Sequence, residues 1–285
     1  MSKFYVVFPL IFIFIALMVQ TLPLGFAPAV VEASSGSDEE LNPGEVGELN
    51  FKKGMSYFGQ GEYDKAITEF EKSIELDPNH TESYYYLGQC YLQKGIIEYN
   101  NKNIFKAYSL YRKANKVAEQ VIPLYKKNIE ENPTDLDSYV KLGYIYEVRS
   151  MVPFVNDYDE AIDYYSKALD IIDLLEANYS SSSSPSTSSK RYNYRRIRIY
   201  LNLKVGSLYF EKKKYSQAIE YLERAEKISP LNVEVNYYLG LSYGKIGEKE
   251  EAQKFLSRVI ELAPQSEFAQ KAEKELKKIE DKIKQ

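Results

Sequence analysis

Beyond about residue 47, apolar residues recur at helical spacing in short blocks, most of them closed by a proline. Ala218, Ile219, Leu222, Ala225 and Ile228 form one such stripe, the signature of an amphipathic helix. Asp77-Pro78, Asn132-Pro133, Ser229-Pro230 and Ala263-Pro264 end blocks because proline disfavours α geometry at the residue before it. The blocks are copies of one another. Gly54, Tyr57, Tyr63, Ala66, Phe70 and Pro78 recur as Gly206, Tyr209, Tyr215, Ala218, Leu222 and Pro230. Gly240, Tyr243, Ala252, Leu256 and Pro264 form a third copy, while Gly88 with Tyr91 and Gly143 with Tyr146, Tyr158, Ala161 and Tyr165 supply partial ones. Five units follow, near 47–80, 81–135, 136–179, 199–232 and 233–266, with steps of 34 residues from 47 to 81 and from 199 to 233.

Each unit reads as two helices. Glycine in the first and alanine in the second let the backbones approach, and tyrosine fills the space beside them. Unit two is too long, with its excess between Tyr99 and Val121. Ile104, Tyr108, Tyr111 and Tyr125 keep helical spacing there, so both helices extend into a hairpin projecting about residues 100–103. Pro123 is expected to kink or split the second of them. Unit three carries an apolar loop, 151–155, between its helices. Its second helix runs on through Ile171, Ile172, Leu174 and Leu175 into a Ser-rich segment, 180–190, read as a mobile loop before helix resumes near Tyr192. Phe268, Ala272, Leu276, Ile279 and Ile283 place one apolar stripe on a Lys- and Glu-rich helix, 267–284, that caps the last unit.

The Gly-x-x-Tyr, the later Ala and the closing Pro resemble the tetratricopeptide repeat family over about residues 47–266. The resemblance implies an all-α, right-handed superhelix of antiparallel helix pairs with two elongated hairpins and a C-terminal capping helix. Two departures stand out. The early first-helix aromatic is Tyr84 and Tyr139 in units two and three but Asn50, Asn202 and Asn236 elsewhere, and unit three lacks a closing proline. In this family the first helices line a concave groove. Carried over, the groove positions are Phe51, Met55 and Phe58 in unit one and Tyr85, Gln89 and Leu92 in unit two. Val140, Tyr144 and Glu147 follow in unit three, then Leu203, Ser207 and Phe210, and finally Tyr237 and Leu241. The Lys and Asn that would clamp a terminal carboxylate are missing. A Tyr-rich apolar groove instead implies an amphipathic or extended apolar segment of a protein or peptide partner. The competing reading is that the superhelix closes over these residues and buries them.

The N-terminus bears on compartment. Residues 4–31 carry no charge, and 4–19 are almost unbroken apolar sequence interrupted by Pro9. Lys3 precedes the run while Asp38, Glu39 and Glu40 follow it, which favours translocation of the remainder. Val31-Glu32-Ala33 and Ala27-Pro28-Ala29 are candidate cleavage sites. Residues 1–33 are therefore read as a signal peptide or a membrane anchor, and 34–46 as a flexible linker. The chain is expected to be exported, periplasmic or otherwise extracytoplasmic, or held to a membrane through residues 4–31.

Composition narrows the chemistry. Among 285 residues there are one His, one Cys, no Trp and 27 Tyr, with 41 acidic and 37 basic side chains. Cys90 alone cannot form an internal disulfide or a zinc site, and His80 alone supports neither a triad nor a His-rich metal site. The expectation is a non-enzymatic scaffold with no cofactor. Charge is uneven: residues 34–90 hold 12 acidic and four basic side chains, whereas 190–214 hold nine basic ones and Glu211. Arg191, Arg195, Arg196 and Arg198 interleave with tyrosine in a basic patch that suits anionic lipid, an acidic partner or a second copy, or is simply a solvated helix face. Nucleic acid is not an expected partner of an exported chain. Self-association through the hairpins is the structural alternative.

Overall fold

The computed structural model describes residues 42–150, 155–179 and 185–283, without the side chains of 178–179, 185–192 and 281–283. The apolar run 4–31, its cleavage sites and most of the linker lie outside the described residues. Eleven helices occupy the described part: α1 (Pro43–Gly59), α2 (Tyr63–Leu76), α3 (Thr81–Asn100), α4 (Ile104–Glu131), α5 (Leu136–Ser150), α6 (Tyr158–Tyr179), α7 (Pro185–Glu211), α8 (Tyr215–Ile228), α9 (Val233–Ile246), α10 (Lys249–Leu262) and α11 (Glu267–Ile283). They form two compact units that divide between Asn156 and Asp157. In the first, successive helices from α1 to α5 pack on one another, and in the second those from α6 to α11 do the same. The division falls inside the third repeat, whose helices α5 and α6 belong to different units.

Local chemistry explains where helices begin. Asn42 caps α1: its Oδ1 accepts from the Glu45 N–H at 3.0 Å, and the Glu45 carboxylate accepts from the Asn42 N–H at 2.9 Å. With Pro43 at the first helical position, Asn-Pro-Gly-Glu is a capping box rather than the end of a tether, so the linker reading of 43–46 is corrected. The turns between paired helices reuse one left-handed residue, Gly61 (φ 74°), Lys102 (φ 63°), Lys213 (φ 60°) and Gly247 (φ 93°). The asparagines in place of the early aromatic are buried, and two of them tie their amide nitrogens to nearby backbone carbonyls while their Oδ1 atoms find no partner. Asn236 Nδ2 donates to the carbonyls of Asn232 (2.7 Å) and Pro230 (2.9 Å), and Asn202 Nδ2 to that of Arg198 (2.8 Å).

Repeat tyrosines also tie successive repeats. Tyr91 Oη donates to Glu71 (3.1 Å), and Tyr243 Oη at the same repeat position donates to Glu223 (2.6 Å). Each pair runs from a first helix to the second helix of the preceding repeat. Cys90 beside Tyr91 is fully buried, and burial pushes its thiol up to about 12, which makes it a small core residue and no nucleophile.

Two further expectations need correction. Of the two outcomes expected at Pro123, the split does not occur: α4 runs through it for 28 residues. Val121, Ile122 and Tyr125 around it are all buried, and Tyr125 Oη donates to the Thr81 carbonyl at 3.4 Å. That packing outweighs the roughly 3 kcal/mol an interior proline costs. The Ser-rich stretch is not loop throughout, because α7 starts at Pro185, where proline's fixed φ suits a first turn. The extended helices are as anticipated, with 20 and 28 residues in α3 and α4 against 14 in α2.

At the other end, α11 lies on α10 and α9. Its Ala272 joins Leu256 and Val259 in a buried cluster, against which Phe268, Leu276 and Ile279 of α11 pack, as do Val233, Tyr237, Leu241 and Ile260. This is the expected capping helix.

Candidate functional site

The first-helix faces carry linked aromatic rings. In the first unit Phe58 contacts Tyr63 (centroids 5.7 Å apart) and Tyr86 (5.6 Å), Tyr86 meets Tyr85 (5.3 Å), and Tyr85 meets Tyr144 (6.0 Å). The second unit rebuilds all but the last of these contacts at the same repeat positions, with Phe268 of the capping helix in place of Tyr144. Phe210 contacts Tyr215 (5.4 Å) and Tyr238 (5.7 Å), Tyr238 meets Tyr237 (5.7 Å), and Tyr237 meets Phe268 (5.2 Å). Edge and offset ring contacts of this kind add about 0.5–1.5 kcal/mol each beyond burial, so each seam is a rigid strip.

The two strips differ in what they leave open. Phe51, Met55 and Phe58 lie four and three residues apart on one face of α1, and all are half-buried. Tyr86 of α3 closes against this face, 6.0 Å from Phe51 and 6.0 Å from Phe70, and burial raises its phenol pKa. His80 meets Phe51 in a tilted contact at 4.9 Å and reaches Glu48 at 3.3 Å. The result is a half-open aromatic platform with a polar margin.

The remaining groove positions of the first unit are core. Tyr85, Gln89, Leu92, Val140, Tyr144 and Glu147 are buried, as are Leu203 and Ser207 in the second. The reason is mutual: Tyr144 Oη donates to Gln89 Oε1 at 3.3 Å across α3 and α5. The cavity beside them holds about 40 Å³, room for a water or two but not for a peptide. Tyr85, Gln89, Leu92, Tyr144 and Leu203 are therefore corrected from partner contacts to packing residues. Phe210, Tyr237 and Leu241 are half-buried, with Tyr237 against Phe268 of α11 and Leu241 packed on the Leu256, Val259 and Ala272 cluster.

Lys141 was not anticipated. It takes the repeat position of Tyr86 and Tyr238, two residues before the first-helix glycine, a frame that would have flagged all three. Its side chain is 8% exposed, pairs with Glu82 and with Asp137 (2.7 Å), and lies 5.2 Å from the Tyr85 ring centre. Burial pulls its pKa down, but Asp137 and Glu82 outweigh burial and hold it above the ordinary lysine value. A raised lysine pKa contributes stability at neutral pH that is lost as pH rises through the folded value. Lys141→Met should therefore cost about 1–2 kcal/mol, discounted because both carboxylates are partly exposed. Urea unfolding at pH 8 and again above the lysine range checks this; the gap between wild type and variant should shrink at the higher pH.

The basic patch is partly spent inside the second unit. Arg198 bridges Asp173 and Glu176 of α6, both at 2.6 Å, and Arg195 donates to the Ile228 carbonyl at the end of α8 (3.0 Å). The free-patch reading is corrected for these two residues, whose guanidinium groups hold α7 to its neighbours. Arg196 is exposed, and the side chain of Arg191 lies outside the described residues.

Comparison with known proteins places this architecture. The helix pairs, turns and interlocking glycines define an α-helical repeat array. Residues 54–95 match the family described as TPR repeat, and the chain is a tetratricopeptide-repeat protein in fold. Residues 201–284 match the family described as regulator of microtubule dynamics protein 1-3. BBSome complex member BBS4 from Bos taurus is 27% identical over 74% of this chain and 31% of its own length. The chain spans under two thirds of each curated relative it matches. Among solved structures, MamA aligns with a TM-score of 0.50 at 20% identity, over 78% of this chain and 93% of MamA. YrrB, described as a TPR protein with an unusual peptide-binding site, aligns with a TM-score of 0.50 at 16% identity, over 79% of this chain and 90% of YrrB. At these identities the solved structures establish the fold.

Proposed function

We propose that this chain is a non-enzymatic, extracytoplasmic scaffold that captures an apolar or amphipathic protein segment on the α1–α3 platform of Phe51, Met55, Phe58 and Tyr86. The observation that carries this reading is that these side chains stay half-open while the equivalent positions of units two and three, with Leu203 and Ser207 of unit four, are packed away, and the Tyr237 ring of unit five is met by Phe268 of α11. Repeat arrays use such first-helix faces as extended binding surfaces. YrrB, with its peptide-binding site, lends support from the same fold. The apolar, lysine-led N-terminus supports export.

A photo-crosslinking residue placed at Met55 in cells should yield a protein adduct that the same residue at exposed Leu174 on α6 does not. Met55→Lys should abolish capture of that protein and leave the melting temperature within a few degrees of wild type, because Met55 is only half-buried. Equal adducts at both positions would refute the platform. Alanine at Tyr85 or Tyr144 is not a binding test, since both are core residues.

A further inference from the structure

The end of the α3–α4 hairpin is the most apolar exposed feature among the described residues. Phe105 is 92% exposed, Ile97 47%, Tyr108 41% and Ile104 38%. The turn beneath them is fixed: Lys102 is left-handed, the Asn103 N–H donates to the Glu98 carbonyl at 2.8 Å, and Asn103 Nδ2 donates to the Glu98 carboxylate at 2.8 Å. Lys106 pairs with the same carboxylate and neutralises it. Beyond Glu98, no acid occurs until Glu119, while Lys102, Lys106, Arg112, Lys113 and Lys116 all intervene and all are exposed. Phe105, Tyr108, Arg112 and Lys116 fall at helical spacing along one outward face of α4.

We propose that this hairpin tip inserts into the interface of an anionic lipid bilayer, with Phe105 as its leading side chain. The shape argues for lipid over protein. Phe105 projects almost wholly exposed from the turn, so a protein partner would need a pit to receive it, whereas a bilayer interface yields around an aromatic wedge. The charge argues for anionic headgroups: each cation near such a surface raises partition about fivefold, and the acid-free run supplies several. The insertion is independent of residues 4–31 and of the α1–α3 platform, and it gives the second, elongated repeat a task that an ordinary repeat could not perform.

The chain contains no tryptophan, so Phe105→Trp in the full-length protein makes a reporter unique to the tip. Its emission should shift to the blue on adding phosphatidylserine-containing vesicles, be quenched by brominated lipid, and revert in high salt. Leu231→Trp, at an exposed turn in the second unit, should stay unshifted. In the Phe105→Trp background, Arg112→Glu with Lys116→Glu should lower the vesicle affinity of the tip on the order of 25-fold or more. Co-flotation of the Phe105→Trp protein with its indole emission unshifted would mean that residues 4–31 alone hold it, and would overturn the proposal. So would an equal shift with purely phosphatidylcholine vesicles, or a shift produced by polyglutamate or RNA and not by vesicles.

Discussion

Ending the chain after Ser266 is expected to lower the stability of the second unit by about 3 kcal/mol and to raise binding of a hydrophobic dye. The truncation uncovers Leu256 and Val259, against which Phe268, Leu276 and Ile279 now pack, and the Tyr237 ring that meets Phe268. Full burial of a large apolar side chain contributes about 1.5–3 kcal/mol. Three partly buried ones, together with the surface they shield, contribute more than about 3 kcal/mol gross, offset by the cost of ordering one more helix. Arrays of this kind stand on nearest-neighbour interfaces, so the loss should be concentrated in α9 and α10 and fade toward α7. Hydrogen exchange can follow it helix by helix. Unchanged protection of α9 and α10 in the truncated protein would contradict this expectation.

Alanine at three equivalent glycines should give opposite results. Helix propensity alone favours alanine by about 1 kcal/mol everywhere. At Gly206 and Gly240, however, an added methyl would lie 2.6 Å from Cγ of Leu222 and Leu256, side chains that are wholly buried and have nowhere to go. The backbone offers no relief, since the Ala218 carbonyl and the Leu256 nitrogen sit at 3.2 and 3.1 Å. Overpacking at such sites costs about 1–3 kcal/mol, so Gly206→Ala and Gly240→Ala should each destabilise by about 2 kcal/mol. At Gly88 the nearest atom is a Val117 methyl at 3.8 Å, an ordinary contact. Gly88→Ala should therefore stabilise by up to about 1 kcal/mol. Denaturant midpoints of the three variants settle it, and the same sign at all three would be wrong.

That contrast also marks how far sequence reading reaches. The repeat frame, the long hairpins and the cap were legible because each is a periodic apolar stripe, and periodicity survives without coordinates. The looseness at Gly88 was not, because it depends on which side chain of α4 faces α3 after the repeat has lengthened. Tyr85 and Tyr144 were misassigned for the same reason. Their positions are groove-facing by register, yet a groove position becomes core when a neighbouring first helix brings its own ring to it. Arg198 looked free in the sequence because its partners, Asp173 and Glu176, lie on another helix. The aromatic platform is half legible: Phe51, Met55 and Phe58 follow from the groove positions that the family resemblance implies, while Tyr86 lies outside those positions.

Cys90 gives the chain an internal clock. It is the single thiol, it has no exposure, and its depressed acidity keeps it protonated at neutral pH. Any thiol reagent must wait for α3 to lift from its neighbours, so the labelling rate of the unmodified protein counts openings of the second repeat. A ligand that rigidifies the platform should slow that count, and one that engages the hairpin tip should reveal whether motion at the tip is felt at its root.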